Sequence, residues 1–236
     1  PQERAQMVRD LGLERVAYDW RSEHVPTFEE EILQYKQHDI EFFAFWSWHD
    51  SLEPLIKKHG IRPQIWMMLP KIEGDDDAER IDAAVEFLRP MVEKTHTLGL
   101  RLGLYNHGGW QGEPENLVAI CKQLRTELQA DHVGIVYNFH HGHDHIERFS
   151  EALALMKPHL LCLNINGMMD PESVESHDKK IVPLGEGRHE RRMLREVIRQ
   201  GYEGPIGILD HRNDTDTKEA LSANLQGLDQ LMTELE

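Results

Sequence analysis

Basic charge is scarce in this 236-residue chain: 26 Lys and Arg stand against 42 Asp and Glu, a net charge of −16 with histidine neutral. That surplus repels a phosphate backbone and argues against nucleic acid as a partner. Cysteine is almost absent. Cys121 and Cys162 both lie in apolar stretches and read as core thiols rather than as a disulfide or a metal pair. Long apolar runs are missing as well. The greasiest stretch, Ile40 to Trp46, is strand-sized, far short of the roughly 20 residues that cross a bilayer, so no membrane partner is expected. No signal-peptide pattern is visible and the chain opens at Pro1. The compartment therefore stays open: cytoplasmic, or periplasmic or secreted if an upstream signal was removed. No linker and no low-complexity tract interrupts residues 1–236, which points to a single domain.

What is present is a globular composition, 39% hydrophobic and 29% charged, with one recurring pattern. A helical segment stops, a short β-rich run follows, and a polar loop comes after it. The runs are Arg15–Asp19, Ile40–Trp46, Gln64–Met68, Arg101–Tyr105, Val133–Tyr137, Leu160–Ile165 and Pro205–Leu209. Gly12, Gly60, Gly99 and Gly201 stand where helices should end. Thr27 with Glu30 and Asp216 with Glu219 have capping-box spacing, and Pro114 suits a first helical turn. Pro90 predicts a kink or a break in the pattern from Ala78 to Leu98. The acidic run Glu73 to Asp77 reads as a solvated loop before a helix.

Strand and helix alternating in this way indicate a parallel α/β architecture, a TIM (β/α)8-type barrel. Seven strand runs against the eight of a closed barrel predict that the first strand lay before Pro1. The edges at Arg15–Asp19 and Pro205–Leu209 would then be unpaired, which predicts low stability or association, a homo-oligomer included, that covers the gap. An open doubly wound sheet is the alternative, but no Gly-rich phosphate loop follows any run.

Chemistry in such barrels sits at the carboxyl ends of the strands. Those ends hold Asp19 and Arg21, then Trp46, Trp66, and Tyr105-Asn106-His107. Asn138 through His143 follow, then Asn164 and Asn166, then Asp210-His211-Arg212. Tryptophans suit the apolar face of a sugar ring, asparagines its hydroxyls, and histidines general acid–base work. Each has a plainer alternative: tryptophans packed under loops, an Asp19–Arg21 surface pair, a structural amide network. Adjacent histidines from His140 to His145 diverge on a loop, so a metal cluster of three is not expected there.

Several segments resemble one family. LGLYNHGGWQGEPENL (Leu102 to Leu117), VGIVYNFHHGHD (Val133 to Asp144), KPHLLCLNING (Lys157 to Gly167), PLGEGRHE (Pro183 to Glu190) and GYEGPIGILDH (Gly201 to His211) are similar to strands five to eight of the xylose isomerase-like TIM barrels. Within them the chain resembles a bacterial subgroup of sugar phosphate isomerase/epimerase-like proteins. The resemblance implies a small-molecule carbohydrate ligand and a metal held by Glu, Asp, His and Glu. Those four positions here read Tyr105, Asn138, Asn164 and Asp210, although His141 of the Asp-x-x-His element is kept. One carboxylate with two amides and a phenol offers a hard divalent ion too little charge, so no Mn²⁺ or Mg²⁺ cofactor is expected. A weakly bound zinc ion at His107 or His141 with Asp210 remains open.

Two functions follow. The first is proton transfer on a sugar or keto-sugar, as epimerisation, isomerisation or elimination/hydration. His107 or His141 would be the base, Tyr105 the acid or oxyanion donor, and Asp210 an orienting carboxylate. Asp19, Arg21, Trp46, Trp66, Asn106, Asn138, Asn164, Asn166 and His211 would bind substrate. The second is an inactive barrel kept as a carbohydrate-binding or scaffold module. The family's repair endonucleases are a poor fit, since they need several zinc ligands and a basic face.

Overall fold

The structure, a computed structural model, describes residues 1–170, 172, 174, 177–212 and 214–235. The strands are β1 (Arg15–Tyr18), β2 (Glu41–Trp46), β3 (Gln64–Met67), β4 (Leu102–Tyr105), β5 (Val133–Asn138), β6 (Leu160–Ile165), β7 (Gly167–Met168), β8 (Ile181–Val182) and β9 (Ile206–Ile208). The helices are α1 (Gln2–Asp10), α2 (Phe28–Gln37), α3 (Leu52–His59), α4 (Asp77–Leu98), α5 (Pro114–Leu128), α6 (Phe149–Met156), α7 (Glu190–Arg199) and α8 (Thr217–Leu235). Seven strands pair in parallel in the order β1-β2-β3-β4-β5-β6-β9 and curl into a nearly closed barrel with the helices outside. These are the seven runs read from the sequence. Among the described residues no eighth parallel strand lies between β1 and β9. A cavity of about 960 Å³ opens at that seam, bordered by Val16, Ala17, Ile206 and Ile208 and by Leu221 and Leu225 of α8.

Parallel strands are covered on both faces, so they read as continuous apolar runs; every residue of β5 is buried. Period-two alternation divides the core. Outward residues such as Phe45, Leu104, Ile135 and Leu163 pack under the helices. Inward residues Ala44, Trp66, Val136 and Cys162 fill the barrel, with Trp46 and Tyr105 packed against them. Gly103 shows how tight that interior is. A Cβ there would come 2.6 Å from Val136 and 2.8 Å from the Trp66 indole, which takes the room a side chain would need.

Helix ends follow local chemistry in most places. Gly60 and Gly99 close α3 and α4 in the left-handed conformation. Pro114 opens α5, and the Asp216 carboxylate accepts from the Lys218 and Glu219 amides at the start of α8. One local expectation fails, and of the two alternatives at Pro90 the break is ruled out. The Thr27 hydroxyl donates to the His24 carbonyl instead of capping α2, because the 3-10 turn Ser22–Thr27 leads directly into that helix. The Pro90 segment stays one helix, α4, since Leu88, Val92 and Thr95 hold both sides of the proline on the core. The antiparallel β7–β8 pair was not legible, being two residues per strand. Among the described residues no helix is long and apolar enough to cross a membrane.

Candidate functional site

Seven parallel strands point their carboxyl ends the same way, so residues just past them share one end of the barrel. A continuous series of rings crosses it. Trp66 lies 4.9 Å from Trp46, Trp46 is 4.8 Å from Tyr105, and Tyr105 is 5.9 Å from His107, centroid to centroid. His107 then lies 4.4 Å from His141, His141 4.2 Å from His140, and His140 4.6 Å from His211. The ends of β2, β3, β4, β5 and β9 thus each contribute. Tyr105, His107 and His141 come together as the sequence predicted.

Burial sets the charge of this group. It pushes the Tyr105 phenol up, with Asp19 adding to the effect, so Tyr105 is protonated and available as a donor at neutral pH. Burial first, and neighbouring imidazoles and Lys180 second, push His140 down to about 2 and His141 down to about 3. Both are neutral imidazoles at neutral pH. His107 is exposed at the rim.

The asparagines are differently placed. Asn106 pairs twice with the β5 end, donating to the Asn138 carbonyl at 3.1 Å and accepting from its amide at 2.7 Å. Asn164 donates to Asn138 Oδ1 at 2.7 Å. Asn166 donates to the Gly167 carbonyl at 2.9 Å. All four are buried, and their unused capacity is Asn138 Nδ2 and Asn166 Oδ1. They tie strand ends to one another.

Asp210 is also engaged. Arg212 grips it from Nε to Oδ1 at 3.0 Å and from Nη2 to Oδ2 at 2.7 Å, and Asn224 of α8 donates to Oδ2 at 2.8 Å. Burial pushes this carboxyl up, but the Arg212 and Asn224 hydrogen bonds outweigh it and hold Asp210 below its ordinary range. It orients no imidazole; the guanidinium two residues on takes that place. Asp19 and Arg21 form an exposed pair at 2.6 Å on the rim. Trp66, 1% exposed, sits below the mouth with its indole donating to Gln64, whereas Trp46 is half-buried at the mouth.

One participant, Lys180, was missed, and His140 and His143 were read only within the histidine run. Lys180, next to β8, is buried and acts on both His140 and His141. His143 reaches the His140 carbonyl with Nδ1 at 3.1 Å and the Lys180 carbonyl with Nε2 at 3.3 Å, bridging the β5 loop to the hairpin. The one sequence signal was the density of that run.

The donor set does not suit a hard divalent ion. Tyr105 is a protonated phenol, Asn138 and Asn164 bond each other, and Asp210 is neutralised by Arg212. Among the described residues no three His, Cys, Asp or Glu side chains are grouped to hold a metal.

Comparison with known proteins fits this geometry. The sequence profile of the xylose isomerase-like TIM barrel family matches residues 54–231. The curated proteins return no match. Among solved structures, a 3-keto-D-glucoside 4-epimerase from E. coli superposes with TM-score 0.69 at 14% identity, covering 98% of this chain and 94% of that one. The IolI protein with a bound zinc atom superposes with TM-score 0.74 at 15% identity, covering 98% and 92%. A xylose isomerase-like TIM barrel protein from Mycobacterium smegmatis in complex with magnesium gives 0.63 at 17%, covering 99% and 88%. At these identities the likeness is one of fold.

Proposed function

Since the chain belongs to the xylose isomerase-like TIM barrel family, we propose that it acts on a carbohydrate or keto-sugar by proton transfer at the carboxyl ends of its strands. The observation that carries the reading is the contact series Tyr105–His107–His141 at that end. The roles follow from burial. An imidazole pushed down to about 3 is a weak base, so His141 serves as a neutral hydrogen-bonding partner. His107, at the rim, is the general base. Tyr105 keeps its proton and donates to the oxygen that gains charge as a C–H bond beside a carbonyl is broken. Trp46, half-buried between Trp66 and Tyr105, offers a face for the sugar ring. Abstraction followed by return of the proton gives epimerisation or isomerisation; loss of a β-hydroxyl gives elimination.

A second reading, a carbohydrate-binding module without turnover, draws on the closed Asn106–Asn138–Asn164 network and the neutralised Asp210. Exchange of substrate C–H for deuterium in heavy water separates the two, starting with 3-keto-glucosides. The wild type is expected to catalyse exchange and His107→Gln to lose it by about 10²–10⁴-fold. Binding of a keto-sugar with no exchange by the wild type would establish the second reading.

The metal expectation has its own measurement. Chelator-treated protein titrated calorimetrically with Mn²⁺ is expected to show no one-to-one site of about micromolar affinity or tighter. Tyr105→Glu with Asn138→Asp should create one, because the new carboxylate beside Asn164 would still accept its hydrogen bond while adding charge. Tight wild-type binding abolished by Asp210→Ala would overturn the assignment.

A further inference from the structure

We infer that the seam between β1 and β9 is a binding groove for one extended, apolar polypeptide segment, supplied in trans by a partner and paired with both edges as a β-strand. Nothing in the sugar-acting reading is needed for this, because the groove lies in the wall of the barrel rather than at its mouth. The cavity of about 960 Å³ at the seam is bordered by both edge strands.

The two edges are open to hydrogen bonding. Within the seven-stranded sheet β1 pairs only with β2 and β9 only with β6. The Leu163 amide donates to the Pro205 carbonyl and the Leu209 amide to the Ile165 carbonyl, both at 3.1 Å. Bonds to one parallel neighbour fall on every second residue. Pro205, Gly207 and Leu209 therefore face β6, and Ile206 and Ile208 turn their amides and carbonyls to the seam. On β1 the Glu41 amide donates to the Glu14 carbonyl at 2.8 Å, which turns Arg15 to the seam in the same way. Free donors and acceptors on both sides of one cavity form a template for a strand. With four residues in β1 and three in β9, the paired length is short.

The walls decide which side chains such a strand carries. Every residue of β5 is buried, whereas β9 has none buried and β1 only Tyr18. Of the six large apolar side chains exposed among the described residues, three border this cavity: Ile198 at 48%, Ile206 at 47% and Met232 at 41%. On the outer side stand Val8 of α1 and Leu221 and Leu225 of α8; on the barrel side stand Ala17, Gly207 and Trp66. A strand between them is covered on both faces, so it is apolar at successive positions. The two arginines at the rim are already engaged, Arg4 with Glu31 and Arg15 with Glu41.

The same geometry selects among occupants. A second copy of this chain offers as edges only β1 and β9, each joined to six other strands and lying under its own helices, so neither can pass between α1 and α8. An apolar small molecule would fill the volume but leave both rows of backbone groups unpaired. A single free segment satisfies the backbone and the apolar walls together.

The test is calorimetric titration of the full chain with a blocked peptide that alternates Ile and Ala over five positions between Lys pairs, joined to hydrogen exchange read residue by residue. Binding at about micromolar affinity is expected. The amides of Arg15, Ile206 and Ile208 should exchange about tenfold or more slowly in the complex, with those of β4 unchanged. The same peptide N-methylated on alternate residues keeps its apolar surface and its charge but loses the donors along one edge. It should bind about tenfold or more weakly, and attraction of lysine to a protein of net charge −16 cancels in that comparison. Ile206→Lys, at an exposed position beside the seam, should also weaken binding about tenfold or more, while Leu33→Lys, exposed to the same degree on α2, should leave it unchanged. Equal binding of the N-methylated peptide, or dodecanoate that competes with the peptide at equal affinity, would overturn the proposal in favour of a pocket for apolar small molecules. Absence of peptide binding, with dimers of the wild type that Ile206→Lys dissociates, would overturn it in favour of contact between copies. Binding without protection of the Arg15, Ile206 and Ile208 amides would place the peptide elsewhere and overturn it as well.

Discussion

Glu190→Ala is expected to lower the free energy of unfolding by about 3–5 kcal/mol, among the largest single-residue effects in the chain. Glu190 opens α7 and is 1% exposed. Its Oε2 accepts from the Met168 amide at 3.0 Å, and its Oε1 accepts from the Gly185 amide at 3.1 Å and the Gly187 amide at 2.7 Å. One carboxylate therefore fastens the end of β7, the turn after β8 and the helix N-terminus, where the helix dipole also favours an anion. Alanine strands three amide donors, each worth about 1–3 kcal/mol when fully buried, less here because two are only partly buried. Glu190→Gln keeps an acceptor and should lose about half as much. Urea unfolding with midpoints compared at constant slope measures it. A loss under about 1 kcal/mol would mean the turn is held by Asn224 and the Leu184 amide instead.

Arg4→Met is expected to cost about 2–4 kcal/mol. Glu31 on α2 is fully buried, and Arg4 Nη1 of α1 reaches its Oε2 at 2.6 Å. The contact is an ion pair rather than a well-directed hydrogen bond, since neither Glu31 oxygen has a hydrogen-bond partner. Burial pushes the Arg4 guanidinium down, but Glu31 outweighs that and raises it. Removing the arginine leaves a carboxylate in a site walled by Tyr18 and Tyr35, both buried. The Arg4 side chain is 37% exposed, so the cost falls short of a wholly buried pair's. Arg4→Met with Glu31→Gln should recover much of the loss, because no charge then remains to be solvated. A double-mutant cycle by thermal unfolding reads the coupling, and additive losses would contradict the pairing. Helix α1 borders the β1–β9 seam through Met7 and Val8, so the single variant should also loosen that edge.

Both effects act at points where segments distant in sequence meet, and such points divide what was legible from what was not. Glu190 lay in the stretch Pro183 to Glu190, noted only for its family resemblance, and Glu31 was not singled out. Neither has a local signature, because a carboxylate's partners here come from β7, from a turn, or from a different helix. The Thr27 misreading has the same origin on a smaller scale. Its spacing from Glu30 is right for a cap, but the 3-10 turn before it gives the hydroxyl a nearer carbonyl.

The sequence by itself determined the seven parallel strands, their order, the glycine helix ends and the end of the barrel where polar groups gather. Those follow from side-chain period, β-rich composition and backbone tolerance, all of which act within a few residues. It also placed Tyr105, His107 and His141 together, since residues just past neighbouring parallel strands are neighbours in space. Only the tertiary structure decided which of those polar groups stay free. Asn106, Asn138 and Asn164 turned to one another across β4, β5 and β6, and Asp210 was taken by Arg212 and by Asn224, 14 residues away on α8. Lys180 reached the imidazoles because a hairpin of two-residue strands and the His143 ring carry it there. The reason is that a buried polar group bonds to whatever packing brings within about 3 Å, and that distance is set by the whole chain.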